Sequence, residues 1–150
     1  MRKPRTKIAV NDIEKIKIRI ALEELNAAFT YHLDHNEIVP LVELFTENAV
    51  YTHGERHSEG RAAIEALFVA RCRTGVRTTR HIYSGLILDI RSASAATGQS
   101  VCMAFAADAA PPIASTVPNL VADFIDEYVR DADRKWRIAR RDIKRTFFKP

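Results

Sequence analysis

The sequence predicts a single α+β domain in which three helices precede a set of long strands. The chain has 150 residues, of which 47% are hydrophobic and 28% charged, and this size and composition suit one domain with a sizeable core. Apolar residues recur every three or four positions up to residue 73, and at every second position from residue 78 onward. Helices grouped ahead of strands favour an α+β layer arrangement over a doubly wound parallel sheet.

The first helix is expected to begin at Asn11, after a mobile basic tail over residues 1–10, with residues 11–150 forming the domain. Asn11 and Glu14 have the spacing of a capping box, in which each side chain satisfies a free backbone N–H. The helix should end near residue 33, because apolar residues at three- and four-residue spacing mark one core-facing stripe up to that point. They are Ile18, Leu22, Leu25, Phe29 and Leu33.

Two shorter helices and a short strand should follow. Cap- and turn-forming residues at 34–36 interrupt the helical pattern. A second helix then has its apolar side formed by Ile38, Leu41, Val42 and Phe45. Residues 49–53 predict a strand and residues 54–60 a polar turn. Helical spacing returns over residues 61–73, which gives the third helix.

The second half of the chain predicts an antiparallel meander. Alternating patterns indicate four long strands over residues 78–91, 99–108, 120–130 and 135–147. The segments between them are short and rich in turn-forming residues, so consecutive strands should be neighbours in the sheet.

The charge pattern argues against a nucleic-acid partner. The net charge is +4, and basic residues collect in residues 2–7 and 134–145. Apolar residues alternate through the second run, as in a half-buried strand, and no aromatic-plus-basic recognition motif accompanies it. We therefore expect a solvated strand face there.

A cytoplasmic location is expected. No apolar stretch approaches the roughly 18 residues of a membrane span, and the first residues lack the apolar segment of a secretory signal. Cys72 and Cys102 belong to no CxxC motif, so two buried thiols are expected rather than a bridge.

His81 is the first candidate for chemistry. Strand alternation places His81 and Tyr83 on one face, and Leu86, Leu88 and Ile90 on the other. An imidazole with an unperturbed pKa of about 6.5 beside a phenol can move protons near neutral pH. The apolar opposite face predicts a surface covered by a second copy, in a homodimer or homotrimer.

Asp34 is the second candidate, because it lies where the core-facing helix ends. A carboxylate beside a histidine fixes the tautomer of the ring and raises its basicity. The alternative is that Asp34, with Asn36, caps the second helix.

The other histidines have spacings that resemble metal ligands, but we expect no metal. His32 and His35 are separated by a helix end, and His57 falls in the polar turn. His53 alternates with its neighbours so that it and Tyr51 point to one side, where a substrate could lie.

Several motifs in order along the chain resemble the nuclear transport factor 2-like superfamily, in particular its SnoaL-like branch with scytalone dehydratase. They are AAFTYHLD at 27–34, VELFTENAV at 42–50, EGRAAI at 59–64, TRH at 79–81 and WRIARR at 136–141. The resemblance covers residues 13–147. It implies an α+β barrel domain: a cone-shaped, curved mixed β-sheet wrapped round an apolar pocket that the three N-terminal helices close.

The resemblance also implies a site. Asp34 and His81 match the catalytic aspartate and histidine of scytalone dehydratase and related dehydrochlorinases. His53 falls near a substrate-binding position, and Arg141 matches an arginine typical of the last strand, while the roles of Arg140 and Arg141 are left open. The chain departs from the dehydratase in having no second histidine over residues 99–108, and Leu33 where the family has a tyrosine.

The leading hypothesis is a cofactor-independent, dehydratase-like lyase acting on a small, apolar, oxygenated cyclic compound. His81 would be the general acid or base and Asp34 its partner. Substrate oxygens would be held by Tyr31, His53, Tyr83 and Arg141. A ketosteroid-isomerase-type isomerase is an alternative within the same fold. The rival class is a noncatalytic ligand-binding or assembly module, in which Asp34 and His81 only satisfy each other.

Overall fold

The computed structural model describes residues 9–114 and 117–149. These residues form three helices and six strands, so the predicted α+β class is confirmed. The elements are α1 Asp12–Asp34, α2 Ile38–Glu43, β1 Phe45–His53, β2 Arg56–Glu59, α3 Arg61–Cys72, β3 Thr78–Ser92, β4 Ala95–Ala107, β5 Leu120–Arg130 and β6 Trp136–Phe148. Most of the expected basic tail, residues 1–8, lies outside the described residues.

The strands form one curved, mixed sheet in the order β2-β1-β6-β5-β4-β3. Strands β3 to β6 are the antiparallel meander that the sequence predicts. Strand β1 adds to the far side of β6 in parallel, and β2 pairs with β1 as a hairpin. Because β2 and β3 remain two separate edges, the sheet is not closed into a barrel, which corrects that expectation.

Helix α1 lies against the sheet along its predicted apolar stripe. All five predicted positions from Ile18 to Leu33 are buried. The Asn11 side chain accepts a hydrogen bond from the Glu14 backbone N–H at 2.9 Å, so the predicted cap forms. Burying five large apolar side chains, at about 1.5–3 kcal/mol each before entropy costs, accounts for the attachment of the helix.

Three boundaries differ from the sequence prediction, and strand pairing explains them. Phe45, expected in the second helix, begins β1, where it pairs with Ile138 of β6. Residues 54–60, expected as a turn, contain β2. Strand β4 begins at Ala95 rather than at residue 99, which leaves a two-residue hairpin turn before it. In each case backbone pairing across the sheet extends a strand beyond its local signal.

A β-bulge at Gly85 reverses the predicted facing of half of β3. Register slips by one residue between Ser84 and Ile87, and Gly85 has a φ of 69°. One extra residue in a strand moves every later side chain to the opposite face. After the bulge, Leu86, Leu88 and Ile90 therefore join His81 on the inner side; Leu86 is only 7% exposed. The oligomer surface predicted from these three residues is wrong.

Part of the basic run over residues 134–145 is neutralised within the chain. Arg137 pairs with Asp131 and Asp133, and Arg140 pairs with Asp142. These contacts agree with the expected solvated strand face. No helix within the described ranges is both long and apolar enough to cross a membrane. Cys72 and Cys102 are unbridged, but Cys72 is exposed rather than buried as expected.

The substitution Gly85→Ala tests the bulge. A β-carbon at Gly85 would meet nothing within 4 Å, so any loss of stability comes from the left-handed backbone. We expect the free energy of unfolding to fall by about 1–2 kcal/mol in urea denaturation. The exposed neighbour Ser84→Ala is the control, and an equal, small effect of both substitutions would contradict a role for Gly85 in holding the bulge.

Candidate active site

A cavity of about 640 Å³ opens between the concave side of the sheet and helices α1 and α3. Its inner wall is apolar and is formed chiefly by Phe29, Leu33, Leu67, Phe68, Phe124 and Ile143. Concave, largely apolar pockets of this volume are typical of sites for small organic ligands.

Asp34 and His81 meet at the wall of this cavity. The His81 Nδ1 lies 2.6 Å from Asp34 Oδ1, and the His81 backbone N–H donates to Asp34 Oδ2 at 2.8 Å. The Thr79 hydroxyl also donates to Oδ1, at 2.9 Å. The alternative role as a cap does not form, because α2 begins after Glu37 and has no side-chain cap. The carboxylate instead joins the end of α1 to the start of β3.

This arrangement sets the charge of Asp34 and the tautomer of the His81 ring. Burial raises the pKa of Asp34, but hydrogen bonds from the His81 ring and backbone, the His81 charge and the Thr79 hydroxyl together bring it below its ordinary value. An ionised carboxylate accepts the Nδ1–H of His81, which leaves Nε2 with its lone pair. His81 lines the cavity with a side chain that is 13% exposed. Nε2 is therefore the nitrogen available to a ligand.

Arg71 supports the pair, and the sequence analysis missed it. Its guanidinium donates to the Leu33 carbonyl and to the Thr79 hydroxyl, each at 3.1 Å, while also lining the cavity. Thr79 in turn donates to Asp34. Alternation along β3 places Thr79 on the same face as His81, so the sequence pattern could have suggested Thr79 as a site residue. Arg71 comes from α3, and no local signal links it to that strand.

Tyr51 and His53 both line the cavity from β1, as alternation predicts. Burial lowers the pKa of His53 to about 4, with further lowering by the charges of Arg145, Arg56 and His81. Burial raises the pKa of Tyr51 to about 12. Within the described chain the Tyr51 hydroxyl has no hydrogen-bond partner. The neutral imidazole of His53 and the phenol of Tyr51 therefore face the cavity, where both are available to a ligand.

The two other predicted tyrosines lie outside the cavity wall. Tyr31 is 54% exposed and stacks on His35, with ring centroids 4.1 Å apart. The Tyr83 hydroxyl donates to Glu23 at 3.0 Å. Both side chains already have partners elsewhere, so the structure does not bring them together with His81.

Arg141 is fully buried beneath the cavity rather than lining it. Its Nε and Nη2 each donate to Asp126 at 2.8 Å, and Nη2 also donates to Asn26. The guanidinium lies between the rings of Phe29 and Phe124, 4.3 Å from each centroid. Burial lowers the pKa of Arg141, but the Asp126 charge more than offsets this and raises it. These contacts describe a structural ion pair.

Three of the histidines with metal-like spacing, His32, His35 and His57, have other partners. His32 contacts Glu37 at 2.6 Å and His57 contacts Glu59 at 2.8 Å. Across residues 9–114 and 117–149, no three His, Cys, Asp or Glu side chains lie together as a metal site requires.

A comparison with protein families matches residues 14–142 to the SnoaL-like domain. A search of curated proteins finds no match.

Solved structures with the same fold include three whose similarity extends over nearly the whole chain. A candidate scytalone dehydratase from Novosphingobium aromaticivorans is 24% identical, with a TM-score of 0.80 over 91% of this chain and 89% of that one. A hexachlorocyclohexane dehydrochlorinase is 17% identical, with a TM-score of 0.77 over 93% of each chain. ActVI-ORFA from Streptomyces coelicolor is 18% identical, with a TM-score of 0.76 over 87% and 98%. At these identities the similarity shows the fold.

The lowered pKa of Asp34 predicts a specific pH dependence of stability. The ionised carboxylate stabilises the fold above the ordinary value of 3.8, and that contribution is lost as pH falls through the lower folded pKa. Asp34→Asn should therefore reduce the free energy of unfolding at pH 6 by about 1.5–3 kcal/mol. Urea denaturation should show that the difference in free energy of unfolding between Asp34→Asn and the wild type narrows as the pH falls below 3.8.

Asp89→Asn is the matched control, because Asp89 forms only an exposed pair with Arg91. It should change stability little at either pH. A deficit of Asp34→Asn that stays constant across the pH range would show that the charge of Asp34 does not stabilise the fold.

Proposed function

The chain belongs to the SnoaL-like domain family of the nuclear transport factor 2-like superfamily, and from that premise we propose that it is a cofactor-independent lyase. Its substrate is a small, largely apolar, oxygenated cyclic compound. The observation that carries the proposal is the 2.6 Å contact between His81 Nδ1 and Asp34 beside an open cavity. That contact leaves Nε2 of His81 as a base for the ligand.

The proposed reaction is an elimination. Nε2 of His81 removes a proton from a carbon next to a carbonyl group, and the C–H electron pair forms the new C=C bond as the bond to a β-hydroxyl breaks. The proton then passes from His81 to the departing oxygen, which leaves as water. Asp34 stabilises the imidazolium formed in between, as carboxylates do in such pairs.

Tyr51 supplies the proposed contact to the carbonyl oxygen. Its hydroxyl lines the cavity and, in the part of the chain that the structure describes, has no partner of its own. A phenol with a raised pKa donates a hydrogen bond without losing its proton, so it can stabilise charge that develops on that oxygen. His53 is the second group available to a ligand oxygen. Tyr51 thus takes the role expected of Tyr31 and Tyr83.

The same observations favour a lyase over the alternatives. An isomerase of the ketosteroid type needs a carboxylate base that faces the ligand, but Asp34 is 5% exposed and accepts bonds from His81 and Thr79. Asp126 is likewise occupied by Arg141. Two of the similar structures are named for eliminations, a scytalone dehydratase and a dehydrochlorinase. This support is analogy at the level of the fold.

The experiment compares His81→Ala with the wild type in proton abstraction from a cyclic ketone. We would follow exchange of the α-protons of 2-tetralone in D₂O by NMR, and formation of cyclohexenone from 3-hydroxycyclohexanone by ultraviolet absorbance. His81→Ala should reduce both rates by about 10²- to 10⁴-fold, the usual contribution of a general base. Exchange detects the first step even when the leaving group is not the natural one.

His57→Ala is the control, because it removes an exposed histidine that does not line the cavity. It should leave both rates unchanged. If the wild type accelerates neither reaction, the noncatalytic ligand-binding function would be favoured instead. Acceleration that does not depend on His81 would contradict its role as the base.

A homodimer or homotrimer is also proposed, on a surface different from the one first expected. Ile82, Val101 and Ile125 are exposed on the outer face of adjacent strands β3, β4 and β5. Contiguous exposed apolar residues on a sheet face are typical of a surface that another chain covers. Sedimentation velocity should show a dimer or trimer that Val101→Asp shifts toward monomer, and a wild type that is monomeric would contradict the proposal.

A further inference from the structure

The cavity wall is strongly basic, in addition to holding the Asp34 and His81 pair. Five cationic side chains line it: Arg56, Arg71, Arg77, Arg145 and Lys149. Among the described residues that line the cavity, none is an aspartate or a glutamate. A cleft lined by one sign of charge attracts ligands of the opposite sign.

Strand pairing brings Arg56 and Arg145 to the two sides of His53. Arg56 of β2 pairs directly with His53, and Ile143 of β6 pairs with His53 from the other side. Arg145 follows Ile143 by two residues, on the same face of the strand. All three of Arg56, His53 and Arg145 line the cavity. They form a corner of the cavity that we call the basic corner.

Gly54 makes room for one of these guanidinium groups. A β-carbon at Gly54 would lie 1.6 Å from Nη2 of Arg145, and Gly54 has a φ of 62°. The Arg145 guanidinium therefore packs directly against the backbone of the turn between β1 and β2. This packing holds it beside His53 and Arg56.

The two arginines of the basic corner lack carboxylate partners within the described ranges. In β6, Arg137, Arg140 and Arg141 all form ion pairs. The Arg145 side chain instead has no ion pair or hydrogen bond in the described residues, and its guanidinium lies 5.2 Å from the centroid of the Phe148 ring. The Arg56 side chain likewise has no ion pair or hydrogen bond in the described residues. The other exposed arginine at the cavity, Arg77, pairs with Asp108.

The electrostatics of His53 agree with this geometry. After burial, the charges of Arg145 and Arg56 are the next largest causes that lower its pKa to about 4, and His81 adds to them. Both guanidinium groups are thus close enough to act on the imidazole. His81 lines the same cavity as His53, Arg56 and Arg145, so the basic corner and the Asp34–His81 pair share one cavity.

We propose that the ligand of this cavity is an organic acid whose carboxylate binds to Arg56 and Arg145, with its apolar ring beside His81. A carboxylate fits because its two oxygens match the parallel donors of a guanidinium group, and the inner wall of the cavity is apolar enough to hold a ring. The inference deepens the proposed lyase function, on which it rests for the role of His81. Binding the acid at this corner fixes which carbon of the ring faces Nε2.

The test compares 2-naphthoate with 2-naphthamide, two probes that share a ring system and differ in charge. Calorimetry at low ionic strength should show naphthoate binding about 10- to 100-fold more tightly, the range that hydrogen bonds to charged groups provide. The difference should shrink as salt is added. The double variant Arg56→Gln with Arg145→Gln should lose this preference and keep its affinity for naphthamide, which also shows that it is folded.

Lys17→Gln with Arg91→Gln is the matched control, since it removes the same charge from exposed residues that do not line the cavity. It should retain the preference for naphthoate. A second readout is the pKa of His53 measured by NMR. Saturating naphthoate should raise it from about 4 in the wild type, because a bound anion offsets the two guanidinium charges, and should not raise it in the Arg56 and Arg145 double variant.

Equal affinities for the two probes, absent binding of naphthoate, or an equal loss in the control double variant would each overturn the inference. These measurements involve no turnover, so they can be repeated on His81→Ala. Charge-selective binding without His81-dependent exchange would leave the basic corner intact and remove only the lyase. His81-dependent exchange without charge-selective binding would leave the proposed lyase intact and remove only the basic corner as a carboxylate site.

Discussion

The buried ion pair of Arg141 and Asp126 is the constraint on which the rest of this structure depends. The Arg141 guanidinium has no exposed surface, so its charge must be paired, and removing one partner of such a pair typically costs about 3–5 kcal/mol. Asp126 and Phe124 come from β5, whereas Asn26 and Phe29 come from α1. The pair therefore fixes the position of the long helix over the sheet.

The position of the helix determines the catalytic geometry. Asp34 lies eight residues beyond Asn26, about 12 Å along the helix axis, at the point where α1 reaches the start of β3. There the carboxylate accepts hydrogen bonds from the Thr79 hydroxyl and from the backbone N–H and the ring of His81. Polar contacts with the sheet thus hold the helix both near Asn26 and at its end. Between them, the curvature of the sheet leaves the cavity open.

The cavity differs in charge from one part of its wall to another. His81 and Asp34 form a compact hydrogen-bonded pair, and Tyr51 and His53 are neutral because burial disfavours their charged forms. Arg56 and Arg145 remain charged and without carboxylate partners in the described chain. An apolar wall with a reactive imidazole and a separate charged corner would orient an asymmetric ligand, which is the property that a regioselective elimination requires.

The sequence by itself determined the helices, the meander, the buried stripe of α1 and the candidates Asp34 and His81, because all of these depend on local spacing and residue type. Only the tertiary structure decided that Asp34 and His81 touch, that Arg141 is buried, and that Arg71 and Arg145 line the cavity. The reversal of facing at Gly85 also required it. These features depend on strand register and on contacts between residues far apart in the chain, and periodicity within one segment carries no information about either.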